Sequence, residues 1–180
     1  KMFNIISLFF NQISINDGQW ELLSTDSIYF DSSIDDAETV ANLCATFLRK
    51  VTGFSLPISK TSIKTGISFE KSTTVKEEEG YELKTTAKGK VVISAISRKG
   101  LFNGYQTLLQ LFPIEVFSDS VSQVRWVTPI VSINDYPRFQ WRGFMIDTSR
   151  HFQTIDALKS IIDAMAINKL NVLHFHLVDD

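Results

Sequence analysis

Two apolar runs late in the chain each end in charged residues. Residues 142–151, RGFMIDTSRH, lead into Asp147 and Arg150, and residues 171–180, NVLHFHLVDD, lead into Asp179 and Asp180. An arginine offers five fixed N–H donors that can hold paired oxygens. Neighbouring carboxylates can act as general acid and base, bind a cation or orient sugar hydroxyls. The spacing indicates where a site lies and leaves its reaction open, and Asp147 alone could equally cap a loop or pair with an arginine.

Two histidines, His174 and His176, alternate along the second of these runs. Residues two apart on a strand share a face, so both could reach one metal ion with a nearby aspartate as third ligand. Their position within the strand favours the other interpretation, in which both are buried and hydrogen-bonded structural residues.

The elements that would position these residues form a strand, a helix and a second strand. Residues 144–146 and 171–178 are apolar strands, and the helix between them begins after a Thr154 N-cap and stops near Asn168. Its apolar stripe comprises Ile155, Leu158, Ile161, Ile162 and Met165. Short connections of this kind give parallel strands, and continuous apolar strands predict that both faces are covered. Both polar ends then lie at the carboxyl ends of the strands, where α/β folds gather their sites.

The preceding residues predict an α+β domain with an antiparallel-leaning sheet and two helices on one side. Apolar residues at helical spacing predict helices over residues 35–51 and 101–112, ended by Gly53 and Pro113. Strands are predicted over 19–31, 54–58, 63–70, 81–86, 91–97 and 124–133. A turn-forming break at 134–137 divides the chain into domains 1–134 and 135–180. The first domain shows no convergent polar cluster, so we expect it to brace the second rather than bind substrate.

The composition is that of a globular protein, with 44% hydrophobic residues and a formal net charge of -2 over 180 residues. Such a charge gives no electrostatic reason to expect a nucleic-acid partner. Cys44, the single cysteine, excludes an intrachain disulfide and falls on the apolar stripe of the first helix, which predicts core packing. The apolar segment from Met2 to Phe10 is too short to span a bilayer. It fits either the apolar core of a secretory signal or a buried first strand.

The segments RGFMIDTSRHF and IIDAMAINKLNVLHFHLVDD resemble the opening of the catalytic barrel of glycoside hydrolase family 20, the β-N-acetylhexosaminidases. The family pattern is approximately R-G-x-x-x-D-x-[SA]-R-x-[FY], a helix, and then K-[LM]-N-x-[FLM]-x-x-H-x-x-D. The match runs without a gap from Arg142 to Asp180. Upstream, LFNGYQTLLQLFP resembles the last helix of the α+β domain that precedes this barrel, and the 35–53 helix with VTGFSLPI resembles its first helix. Phe175 stands where many members have tryptophan.

The resemblance implies roles for four residues. Arg150 matches the arginine that holds hydroxyls of the terminal N-acetylhexosamine, and Asp179 matches an aspartate in the hydrogen-bonded network of the pocket. Asp147 and His176 match positions expected to shape the site without doing chemistry. The resemblance also implies a (β/α)8 TIM barrel, of which residues 135–180 supply strand 1, helix 1 and strand 2, and it implies no cofactor and no metal.

The mechanism that the resemblance implies is retaining and substrate-assisted, an exception to the scheme with two carboxylates. The acetamido oxygen of the sugar attacks the anomeric carbon, a glutamic acid protonates the leaving oxygen, and the preceding aspartate orients the acetamido group. That Asp-Glu pair belongs to a later strand and is not Asp179-Asp180. No catalytic residue is therefore expected in this segment, which we expect to be inactive alone.

The resemblance implies N-acetylhexosamine-terminated glycans as substrates and a lysosomal or secreted location. The partners it implies are the remainder of the barrel and, in a homodimer, a second copy of the whole enzyme. Two alternatives stay open. One is a different glycosidase with a similar accessory domain, and the other is a non-catalytic sugar-binding relative that keeps Arg150 but lacks the acid.

Overall fold

The structure, a computed structural model, describes residues 11–179, which fall into two compact units divided between Tyr136 and Pro137. The N-terminal apolar segment 2–10 and Asp180, both discussed above, lie outside the described residues. Among the described residues, no helix is long and apolar enough to cross a membrane. The two units are described separately below.

The first unit is built on a seven-stranded sheet with two long helices. The strands are β1 (Gln12–Glu21), β2 (Ser27–Phe30), β3 (Ile58–Ser59), β4 (Gly66–Lys71), β5 (Tyr81–Lys84), β6 (Lys90–Ala95) and β7 (Val127–Asp135), in the spatial order β1-β7-β5-β6-β4-β2-β3. The helices are α1 (Ala37–Thr52) and α2 (Arg98–Leu111), and a short 3-10 helix covers Ile114–Phe117.

The sheet is mixed rather than mostly antiparallel, which corrects the expectation from sequence. The pairs β1–β7, β7–β5 and β5–β6 are antiparallel, whereas β6–β4, β4–β2 and β2–β3 are parallel. Helix α1 connects β2 to β3 and β4, and it accounts for the parallel β2–β3 and β2–β4 pairs, because a crossover helix returns the chain in the same direction. The antiparallel half contains the β5–β6 hairpin.

One row of apolar side chains runs across the sheet and joins both helices in a single core. Each residue of the row is the register partner of the next on the adjacent strand, and none is more than 3% exposed. Across five strands the row consists of Phe30, Phe69, Ile93, Leu83 and Ile133. The alternate residues on these strands are polar or only half-buried, as expected for a sheet with one face on the core. The buried apolar side chains of α1 and α2 belong to the same hydrophobic cluster.

Both helices of the first unit form where the apolar periodicity predicts them. Helix α1 ends at Gly53, which has a positive φ of 72° and donates its N–H to the Arg49 carbonyl. Cys44 is completely buried in α1, and the loss of hydration raises the pKa of its thiol well above the ordinary value, as a core residue requires. Helix α2 begins after Ser97, whose side chain accepts from two backbone amides.

Two strand predictions in this unit are wrong. The extended segment expected over residues 54–58 is reduced to the two residues of β3, because Leu56 takes a positive φ of 36° that an extended strand does not allow. Strand β1 begins earlier than predicted, at Gln12, and is exposed over most of its length. It pairs with β7 through an irregularity between Asn16 and Gln19.

The second unit is a strand, a helix and a strand. Strand β8 (Gly143–Asp147) pairs in parallel with β9 (Val172–His176), and α3 (Ile155–Ile167) connects them. Thr154 is the N-cap of α3, as predicted, and its hydroxyl accepts from the Ala157 amide at 3.2 Å. The expectation that both strand faces are covered is wrong for this unit, where Ile146 is the one buried residue of β8. Two strands and one helix bury too little surface to enclose a sheet.

Candidate active site

The candidate site forms at the carboxyl ends of β8 and β9. These strands are parallel neighbours, and the last residue of each is the register partner of the other: Asp147 lies opposite His176. Thr148 extends the connection beyond the strands, because its amide and its hydroxyl both donate to the His176 carbonyl, at 3.0 and 2.9 Å. The residues after each strand therefore emerge together at one edge of the sheet.

Asp147 organises the turn that follows β8. Its Oδ1 accepts three hydrogen bonds, from the Ser149 amide at 3.1 Å, the Ser149 hydroxyl at 2.9 Å and the Arg150 amide at 3.1 Å. Its Oδ2 lies 3.2 Å from Arg150 Nε. The backbone donor of Arg150 contributes most to a lowered pKa of Asp147, and the Ser149 hydroxyl and the charges of His176 and Arg150 add to it against the opposing effect of desolvation. Asp147 is therefore an ionised anchor and not a proton donor.

Arg150 is oriented by Asp147 while most of its side chain remains open. Its Nε is used in the ion pair with Asp147, yet 78% of the side chain is exposed. A guanidinium held at one edge and accessible at the other can donate to oxygens of a bound molecule. This geometry is compatible with a clamp for hydroxyls or for an anion.

Asp179 is held from two sides by residues of different segments. Its Oδ1 lies 2.6 Å from His176 Nε2, and its Oδ2 accepts from the Ser149 hydroxyl at 2.9 Å. The hydrogen bond to His176 is the main cause of a lowered pKa of Asp179, and the one from Ser149 adds to it. Since the ionised carboxylate can only accept, His176 Nε2 is the donor. Asp179 is 64% exposed and retains acceptor capacity toward solvent.

All four described residues that the sequence analysis assigned to the site lie in one hydrogen-bonded cluster: Asp147, Arg150, His176 and Asp179. Their individual roles stay predictions. The expectation of buried, hydrogen-bonded histidines is met only in part, because His176 is hydrogen-bonded to Asp179 but half-buried, and His174 is exposed. Across residues 11–179, no group of three or more His, Cys, Asp or Glu side chains is arranged to hold a metal ion.

Ser149 is the residue of this cluster that sequence reasoning missed. Its hydroxyl lies 2.9 Å from a carboxylate oxygen of Asp147 and 2.9 Å from one of Asp179, so it joins the ends of the two strands. One signal in the sequence could have indicated Ser149. It lies between Asp147 and Arg150 just after the first predicted strand, and the parallel second strand ends near Asp179.

A second polar cluster lies in the first unit, where the sequence indicated none. A cleft of about 570 Å³ beside the start of α1 contains Asp36, Glu38, Lys60 and Arg98. Arg98 pairs with Asp36, and Lys60 lies 3.4 Å from Glu38. The sequence could not show this convergence, because the four residues come from three separate segments. Both bases are paired with acids of the cleft, so the cluster has a structural explanation.

The fold and the site define the class of protein. The chain is an α+β unit followed by a strand–helix–strand unit, with polar groups gathered at the carboxyl ends of its two parallel strands. The model of glycosyl hydrolase family 20, domain 2, matches residues 9–136, and that of the catalytic domain of the same family matches residues 139–180. The chain belongs to glycosyl hydrolase family 20.

Individual relatives agree with this family. A beta-hexosaminidase of Porphyromonas gingivalis is 36% identical over 184 residues, which cover 100% of this chain and 23% of the relative. A beta-N-acetylhexosaminidase of Cellulomonas fimi is 41% identical over 103 residues, covering 57% of this chain and 19% of that protein. The chain thus spans about a fifth of the length of these curated relatives.

Solved structures show the same likeness in three dimensions. A mutant beta-hexosaminidase of Streptomyces plicatus in complex with its product, GlcNAc, aligns with a TM-score of 0.90 and 34% identity. This alignment covers 100% of the chain and 36% of that structure. The beta-N-acetylhexosaminidase of Streptomyces coelicolor aligns with a TM-score of 0.86 and 34% identity, over 93% of the chain and 33% of that structure.

Proposed function

We propose that the whole protein is a retaining exo-β-N-acetylhexosaminidase that removes terminal N-acetylglucosamine or N-acetylgalactosamine from glycans. The observation that carries the proposal is the cluster joining Arg150 and Asp179, which lies within the stretch matched by the catalytic domain of the family. The Streptomyces plicatus relative, whose structure holds GlcNAc, supports a hexosamine as the bound sugar.

In this proposal, Arg150 and Asp179 grip the terminal sugar through its hydroxyl groups. The accessible guanidinium donates to hydroxyl oxygens, while the ionised Asp179 accepts from hydroxyl protons. Asp147 and His176 shape the site, because Asp147 orients Arg150 and His176 orients Asp179. Fixed donors and acceptors of this kind place the anomeric carbon for reaction without taking part in bond cleavage.

The proposed chemistry is substrate-assisted. The acetamido oxygen of the sugar forms a bond to the anomeric carbon as the bond to the leaving oxygen breaks, and a glutamic acid gives that oxygen its proton. Water then opens the oxazolinium ion, so the product retains the β configuration. The glutamic acid and the aspartate that orients the acetamido group are proposed to lie outside residues 1–180, which makes this segment inactive by itself.

The proposed architecture assigns one task to each part of the chain. Residues 1–134 form the N-terminal α+β hexosaminidase-type domain, which takes no part in binding the sugar and whose cleft residues Arg98 and Lys60 are paired with Asp36 and Glu38. Residues 135–180 form strand 1, helix 1 and strand 2 of a (β/α)8 TIM barrel, and the remaining strands complete the site.

The experiment measures hydrolysis by the whole protein. We expect release of 4-nitrophenol from 4-nitrophenyl N-acetyl-β-D-glucosaminide or galactosaminide and none from the β-D-glucoside, which lacks the acetamido nucleophile. Proton NMR should show the β-anomer as the first product. Binding of N-acetylglucosamine without turnover would indicate the non-catalytic sugar-binding alternative, and turnover of the glucoside alone would indicate a different glycosidase.

Two further parts of the proposal concern the cell and the assembly. We propose a lysosomal or secreted protein that forms a homodimer when complete. Subcellular fractionation tests the location, and light scattering on the purified whole protein tests the dimer. A monomer at micromolar concentration, or recovery in the cytosolic fraction, would contradict the respective part.

A further inference from the structure

The single hydroxyl of Ser149 lies between two carboxylates of the candidate site. A hydroxyl has one proton to donate, yet Ser149 Oγ is 2.9 Å from both Asp147 Oδ1 and Asp179 Oδ2. Both carboxylates are ionised at neutral pH and cannot supply a proton to either contact. The surrounding donors therefore decide which carboxylate depends on this hydroxyl.

Asp147 has other donors, whereas Asp179 has few. The Asp147 Oδ1 also accepts the amides of Ser149 and Arg150, and its Oδ2 lies beside Arg150 Nε. Asp179 is held by His176 at Oδ1 and by the Ser149 hydroxyl at Oδ2. Loss of the hydroxyl would leave Asp147 anchored by the two amides, but Asp179 would be free to turn about its single contact with His176.

We infer that Ser149 is a positioning residue. Its hydrogen bond to Asp179, the Ser149 lock, fixes the Asp179 carboxylate relative to Arg150 so that both side chains contact the same sugar. The lock couples two segments that are 30 residues apart in the sequence. Asp147 holds the backbone and the ion pair on one side, and His176 completes the grip on the other side. This inference rests on the proposed function, and it assigns a task to a residue outside the set that the sequence indicated.

The expected effect of Ser149→Ala is moderate. The Ser149 hydroxyl contacts the carboxylates of Asp147 and Asp179 and is not proposed to touch the reacting atoms, so its loss should weaken sugar binding without abolishing the reaction. A hydrogen bond to a charged group contributes enough to change affinity by about tenfold or more. We expect the KM for 4-nitrophenyl N-acetyl-β-D-glucosaminide to rise about tenfold with kcat within about twofold, because contacts to non-reacting hydroxyls bind the ground state and the transition state alike.

Three variants of the whole protein separate positioning from folding. Ser149→Ala removes the hydroxyl and leaves the Ser149 amide in place. Ser149→Thr retains a hydroxyl and should restore most of the lost affinity. Ser160→Ala is the matched control, because the Ser160 hydroxyl donates to the Asp156 carbonyl on exposed α3 and has no contact with the cluster. Damage to folding would instead lower the fraction of active enzyme, which lowers the apparent kcat and leaves KM unchanged.

The test combines kinetics with calorimetric binding of N-acetylglucosamine. Higher KM and weaker binding in Ser149→Ala, rescue in Ser149→Thr and parental values in Ser160→Ala would support the lock. Parental KM and binding in Ser149→Ala, or equal losses in Ser149→Ala and Ser149→Thr, would overturn it. An inactive parental protein that does not bind the sugar would refute the proposed function itself, and this outcome is distinct because it precedes any comparison of variants.

Discussion

Asp147 and His176 are register partners at the carboxyl ends of two parallel strands, and each orients the residue that is proposed to contact the substrate. Asp147 holds Arg150 through Nε, and His176 holds Asp179 through Nε2. The pairing of β8 with β9 therefore aligns a cation from one segment with an anion from the other. The following predictions test the fold that supports this arrangement and then the site.

The core beneath α2 should depend on individual leucines. Leu108 is completely buried in α2, and Leu108→Ala should lower the free energy of unfolding by about 2–5 kcal/mol because it removes apolar contacts and leaves a cavity. Leu43→Ala is the matched control, because Leu43 is 47% exposed on α1 and its loss should change stability by less than about 0.5 kcal/mol. Urea unfolding checks both, and equal effects would contradict the assigned core.

The ion pair between Glu70 and Lys90 on the outer face of the sheet should give a pH-dependent contribution to stability. Partial burial by itself would raise the pKa of Glu70, but hydrogen bonds from Lys90 at 2.5 Å and from Ser68 outweigh it, so the pKa lies below its ordinary value. A lowered folded-state pKa gives stability that is present above the unfolded-state pKa and is lost as the pH falls through the folded-state pKa.

Lys90→Met should therefore destabilise the chain at neutral pH by about 0.5–1 kcal/mol, since the pair is partly exposed and partly screened. The difference in the free energy of unfolding between Lys90→Met and the parental chain should disappear as the pH falls through the lowered pKa of Glu70, because the carboxylate becomes protonated there. Urea titrations across this range measure it. Lys50→Met, which disrupts a pair with the fully exposed Asp119, serves as the control and should show no measurable effect. A difference in Lys90→Met that does not change with pH would contradict the role of the charge.

The 180-residue chain by itself should self-associate through its second unit. Trp141, Phe152 and Val178 are 72%, 87% and 75% exposed, and within the described residues the two-stranded sheet has an open edge on each side. Exposed apolar surface and unpaired strand edges promote association. Size-exclusion chromatography with light scattering should show oligomers at micromolar concentration, whereas residues 1–136 alone should elute as a smaller species. A monodisperse 20.4 kDa monomer would contradict this prediction.

The helices were predictable from sequence because local signals determine them. Helical spacing and end residues such as Gly53 and Thr154 depend on neighbouring positions. The balance of parallel and antiparallel strands was not predictable, because pairing joins residues far apart in the chain. Strand β1 was largely missed, since the short alternation of Ile13 and Ile15 is interrupted by the turn-forming residues 16–18, Asn-Asp-Gly.

The candidate site was predictable in its position but only partly in its membership. Asp147, Arg150 and Asp179 follow apolar runs, and the resemblance singled them out with His176. Ser149 carries no signal of its own, since a serine in a turn is common and its role depends on Asp179 approaching from another strand. Exposure of His174 was unpredictable for a related reason, because burial depends on what packs against a strand and not on its sequence alone.

The central claim is that Arg150 binds the terminal sugar by donating hydrogen bonds to its hydroxyl groups. The substitution Arg150→Ala in the whole protein tests this claim most directly. The matched control is Arg125→Ala, because the Arg125 side chain is 72% exposed against 78% for Arg150 and pairs with Glu21 in the first unit. Hydrogen bonds to a charged group contribute about 1.5–3 kcal/mol of binding free energy. Their loss should lower kcat/KM for 4-nitrophenyl N-acetyl-β-D-glucosaminide by about 10- to 150-fold. We predict this loss in Arg150→Ala with an unchanged melting temperature and parental kinetics in Arg125→Ala. Parental kcat/KM in a stably folded Arg150→Ala would contradict the account.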